Sequence, residues 1–162
     1  MPEYTLLLLV FPAVMAFAGA MDLLTMTIPN RITAGLAVAF FVVAPLMGMP
    51  PAAILMHVAA GALILTLGIA LFAVGGFGGG DAKLLAAGAL WLGFEALLGY
   101  LVWVTIFGGV LALAFLAYRK VPVEAYPIPD WAFRLHEKKS GIPYGIAIAA
   151  SALYVYPKSV WF

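Results

Sequence analysis

Cysteine is absent from this 162-residue chain, and histidine occurs only twice. The first absence excludes disulfides, thiolate metal sites and a cysteine nucleophile together. The second, with no HExxH-like spacing, argues against a zinc site, so neither metal nor cofactor is expected. Charge is scarce as well. Only 9% of the residues are charged and 66% are hydrophobic, whereas a soluble domain carries about a quarter charged residues. Water is not the solvent for which such a chain is built, and an all-α polytopic membrane protein is the reading that fits. The formal net charge is +1, and the basic residues are spread between apolar spans rather than massed in a patch. Nucleic acid is therefore not an expected partner.

Apolar stretches of about 17–25 residues cross a bilayer as helices, with every backbone polar group bonded internally. Six such spans are predicted in a single domain covering residues 1–162, at about 4–21, 33–49, 52–74, 82–94, 96–118 and 142–156. The fourth is short, and its end near Gly93–Glu95 is the least secure boundary. The long polar segment runs from Arg119 to Gly141. Ala18-Gly19-Ala20 imitates a signal-peptide cleavage site, but Met1-Pro2-Glu3 brings an acid and no basic residue, so cleavage is not expected.

The lysines and arginines orient the chain. Segments after spans one, three and five hold Arg31, Lys83, Arg119, Lys120, Arg134, Lys138 and Lys139, while the opposite face keeps only Lys158. Cytoplasmic loops carry the excess of basic residues, so the first face is expected in the cytoplasm and both termini outside.

Two acids then stand out. Asp22 closes span one and Asp81 opens span four, both on the basic face; Glu3 and Glu95 fall on the other side, and Glu124, Asp130 and Glu137 belong to the polar loop. Carboxylates that meet at low dielectric tend to share one proton, leaving one as base and the other as acid. That is aspartyl-protease chemistry. Two other readings stay open: helix capping, which suits Asp81 as an N-cap better than Asp22 at a C-terminal end, and a proton or ion pathway. Before Asp81 stand Gly75, Gly76, Gly78, Gly79 and Gly80. Such a loop would let a substrate strand approach and bond to the main chain, or would simply be a turn between spans.

These residues carry a family resemblance. "GGGDAKLL" (Gly78–Leu85) resembles the GxGD motif of membrane-embedded aspartyl proteases and the continuation seen in type IV prepilin peptidases. "DLLTMTIPNRIT" (Asp22–Thr33) is similar to that family's first-aspartate segment, and "GIPYGIAIA" (Gly141–Ala149) resembles its third recurrent segment. The resemblance implies a peptidase that removes the short basic leader of prepilin-like substrates on the cytoplasmic side of the inner membrane, for a pilus or secretion machine. Asp22 and Asp81 would be its catalytic pair. Longer members carry an N-terminal cytoplasmic domain, often with zinc-binding CxxC pairs, and methylate the new N-terminus. Here span one begins near residue 4 and cysteine is missing, so N-methyltransferase activity is not expected. The compact form is similar to the TadV/CpaA type that processes Flp pilins; archaeal preflagellin peptidases are compact too.

The substrate-binding candidates are Gly78, Gly79, Gly80, Lys83, Pro29, Asn30, Pro143 and Tyr144. Pro29-Asn30 also reads as the turn that starts span two, and Lys83 as a side chain reaching the headgroups. Pro143 suits the first turn of span six, and Tyr144 the membrane interface. His57 is expected to be buried and neutral, not a ligand. In the loop from Tyr118 to Gly141, basic residues mix with Trp131 and Phe133, which suits anionic headgroups, and Asp130 would cap a short helix ending near Lys139. The expected partners are thus a prepilin-like substrate with an N-terminal leader, membrane lipid and, as an open option, further copies in a homo-oligomer. A small proton- or cation-coupled transporter using the same two acids is the non-enzymatic alternative, and an idle scaffold subunit of a secretion assembly is a third.

Overall fold

The computed structural model describes residues 5–121, 129–137 and 141–162. Among them all regular structure is helical: α1 (Thr5–Leu8), α2 (Val10–Thr25), α3 (Asn30–Leu46), α4 (Pro51–Ala73), α5 (Gly79–Tyr118), α6 (Asp130–His136) and α7 (Gly145–Val155), followed by a 3-10 turn at Tyr156–Lys158. By length and apolar composition three stretches suffice to cross a membrane, Leu6–Thr25, Pro51–Ala73 and Gly79–Tyr118.

The helix boundaries have local causes. Pro51 opens α4 at a position where its missing N–H costs nothing. At the far end Gly75 takes φ 74° and the N–H groups of Gly75 and Gly76 bond back to the carbonyls of Phe72 and Leu71. This is a Schellman ending, which needs a left-handed residue after the cap. Two of the five loop glycines thus terminate a helix. Asp22 lies inside α2, about one turn before its end at Thr25, rather than closing the helix. Asp81 is the third residue of α5 rather than its N-cap, a position held by Gly78 without any side-chain capping bond.

The forty residues of α5 do not form one rod. Gly93 has φ 67° and ψ 178°, a conformation essentially reserved for glycine. The phenol of Tyr100 lies against Gly88, although twelve residues of continuous helix would separate them by about 18 Å. The chain therefore doubles back at Gly93, at the boundary the apolar pattern marks near Gly93–Glu95. Carbonyls of the last turn before such a break lose their helical donors, and two find substitutes. His57 Nδ1 lies 2.9 Å from Leu90 O, and Trp161 Nε1 donates to Trp91 O at 2.6 Å. A carbonyl can only accept, so His57 carries its proton on Nδ1. Phe11, Phe40, Trp91 and Trp161 pack around this end with ring centroids 5.1–6.1 Å apart.

Small residues set the helices close together, as membrane helices require when no water drives them together. Gly61 faces Leu90 and Gly68 faces Ala82, so α4 runs antiparallel to the first half of α5; Gly19 against Ala149 does the same for α2 and α7. The result is a bundle with two unlike ends. Arg119 donates to Leu135 O and Gly141 O, Arg134 donates to Leu24 O, and Lys83 donates to Asn30 Oδ1. Those cations thus share the end that holds Asp22 and Asp81, while Lys158 stacks on Tyr154 beyond α7. Lys138 and Lys139 lie outside the described residues. The short helix foreseen with Asp130 as its cap is α6, but Pro129 is the cap, Asp130 is its first residue and His136 its last.

Candidate active site

After α2 ends, Met26 adopts a left-handed conformation, φ 55° and ψ 26°, and its N–H bonds to Asp22 O at 2.8 Å. It is the positive-φ residue other than glycine among the described residues. Left-handed backbone costs a non-glycine residue roughly 1–2 kcal/mol, and the turn it makes sends Thr27 and Ile28 across the mouth of the bundle. Pro29, with φ −59° and ψ 136°, then starts α3. On the other side Gly78 is extended and leads straight into α5.

Between these two segments lies a cavity of about 270 Å³, lined by Asp22, Asp81, Gly78, Gly79, Gly80 and the Met26–Ile28 stretch. Asp22 is 5% exposed. Its Oδ2 accepts a 2.7 Å hydrogen bond from the N–H of Gly145, the first residue of α7. A carboxylate at a helix N-terminus is favourably placed, and here the bond fixes its orientation. Asp81 is half-buried and makes no hydrogen bond among the described residues. The two acids line the same small cavity, and charging both at once in so sheltered a place is costly.

Two glycines of the cavity leave little room for a side chain. A Cβ on Gly78 would fall 2.5 Å from Asp81 Oδ2, and one on Gly80 3.3 Å from Ile28 Cβ. Gly145 is crowded from two sides, for a Cβ there would lie 2.8 Å from Asp22 Oδ2 and 2.9 Å from Ile28 Cδ1. Neither Gly145 nor Met26, Thr27 and Ile28 has a role in the sequence reading. Gly145 stands within "GIPYGIAIA", yet nothing in that string says that its amide faces Asp22.

The remaining candidates lie elsewhere. Lys83 follows Asp81 by two residues, about 200° around the helix; it lines a separate cavity and bonds to Asn30 instead of sitting beside Asp81. Pro29 and Asn30 cap and open α3 next to the pocket without lining it. Pro143 is buried ahead of α7, and its carbonyl accepts from Ile146 N at 3.3 Å. The ring of Tyr144 packs on Gly108. His57 belongs to the opposite end, and Glu95 follows the Gly93 reversal there. No cluster of three metal-ligating side chains occurs among the described residues.

The family model described as type IV leader peptidase matches residues 9–113. That range is well over half of the chain and includes Asp22, Asp81 and the glycines between them, though not Gly145. No curated protein and no solved structure matches the chain significantly. On the strength of the family match, the chain belongs to the type IV leader peptidase family.

Proposed function

We propose that this peptidase is a membrane-embedded aspartyl endopeptidase of six spans. It removes the short basic leader of a prepilin-like substrate on the cytoplasmic side of the inner membrane, for pilus or secretion-system assembly. The observation that carries the reading is that Asp22 and Asp81, far apart in sequence, line one small cavity with three glycines. The reversal at Gly93, which divides the forty residues of α5, supports the count of six spans.

In this mechanism the leader lies extended beside Gly78–Gly80 and bonds to their main chain. A water between the carboxyl groups attacks the scissile carbonyl. Asp22, held by the Gly145 N–H, takes the proton of that water. Asp81, without a fixed partner, carries the shared proton and gives it to the carbonyl oxygen, as expected for two acids in one site. As the C–N bond breaks, the leaving amine takes the proton from Asp22 and a hydroxyl of the tetrahedral diol returns one to Asp81, which releases the carboxylic acid product and leaves the pair with its single shared proton.

The test is processing of a co-expressed prepilin by Asp22→Asn and Asp81→Asn variants that insert normally. Each is expected to lower cleavage by on the order of 10³–10⁴-fold. Cleavage at the wild-type rate by both variants would sink the assignment.

A further inference from the structure

The face of α5 opposite Asp81 borders a second cavity, about 340 Å³, between α3 and α4. Its walls are nearly featureless. Thr33 and Ala37 come from α3, Gly61 and Ala62 from α4, and Ala86 and Ala87 form the floor on α5. At the end near the aspartates stands Lys83, exposed, bonded at 2.8 Å to Asn30. Arg31 is exposed one turn before Ala34, a lining residue, and so shares its side of α3. Arg31 has no hydrogen bond or ion pair among the described residues, and no acid lines this cavity.

We propose that this groove is a binding site for an anionic phospholipid, with one acyl chain lying along the small residues and the phosphate held by Lys83 and Arg31. Two observations select this occupant. First, the apolar lining ends in Lys83, with Arg31 on the same side of α3, the charge pattern of a lipid and not of a neutral chain. Second, two cations at this end repel the basic leader that the proposed function assigns to the other face. The inference needs only that the bundle sits in a bilayer, and it is read without any peptidase assay, so its failure and that of the proposed function are distinguishable.

The experiment is native mass spectrometry of the purified, delipidated protein titrated with dioleoyl phosphatidylglycerol or dioleoyl phosphatidylcholine. Wild type is expected to prefer the anionic lipid by roughly tenfold or more, at about fivefold for each cation. Lys83→Gln should remove about fivefold of that preference and leave phosphatidylcholine binding unchanged, while Lys83→Arg keeps it. Arg31→Gln gives the same comparison should Lys83→Gln fail to insert. Ala62→Phe, which fills the groove, should weaken both lipids. Equal affinity for the two lipids overturns the proposal, and so does indifference to both charge variants or to Ala62→Phe. Displacement of the lipid by an apolar substrate peptide would assign the groove to substrate and also overturn it. Dimers lost on Ala62→Phe with lipid binding intact would assign it to a second copy instead, with the same consequence.

Discussion

The first half of α5 begins and ends at glycine, and the two ends are treated in opposite ways. At the Gly93 end the carbonyls of Leu90 and Trp91, freed by the helix break, are closed by His57 and Trp161 under a cluster of aromatic rings. At the Gly78 end no side chain caps the helix, and a cavity with two acids is left open. A bundle in lipid must satisfy its backbone internally, so the sealed end is what the fold requires. A buried acid and a left-handed methionine beside an open cavity are not needed to close a helix end. Such features gather where chemistry is done.

Substitutions can break this contrast or sharpen it. The largest effect falls at the open end, where the Asp22→Asn and Asp81→Asn losses described above should come with unchanged thermal unfolding. Gly93→Ala comes next and should do the reverse. Its Cβ would lie 2.7 Å from the His57 ring at a backbone conformation only glycine adopts. A loss of roughly 3 kcal/mol or more of stability is expected, read by thermal unfolding in mild detergent. Gly145→Ala displaces Asp22 without opening the sealed end, and cleavage should fall by about 10²-fold, as for an ångström-scale misplacement. The same variant with wild-type cleavage would show that the Gly145 contact does not position Asp22. Trp161→Phe leaves Trp91 O unpaired and should cost about 1–3 kcal/mol, with cleavage per folded molecule intact. Gly75→Ala should be the mildest. Its φ is also positive but nothing lies within 4 Å, so about 1 kcal/mol is expected, again by thermal unfolding.

Much of this was legible in the chain because membrane helices obey one-dimensional rules. Apolar length marks the helices, and the distribution of lysine and arginine places Asp22 and Asp81 at one end. The reversal near Gly93 shows as a short span with an insecure boundary. Local rules failed where two assignments fit the same letters. Gly75-Gly76 and Gly78–Gly80 read as one loop, yet the first pair ends α4 and the other three line the cavity. Lys83 reads as part of the substrate site, but helical geometry turns it to the other side of α5. Pro143 and Tyr144 read as part of the site, while the residue that reaches Asp22 is the next one along.

By itself, then, the sequence determined a helical membrane peptidase with two candidate acids at one end, because hydropathy, charge placement and the motif strings are properties of single segments. The tertiary structure alone decided which amide holds Asp22, which glycines must stay small, and which face of α5 each side chain serves. Those depend on approach between segments distant in the chain, to within a few tenths of an ångström, and no local pattern of residues encodes such a distance.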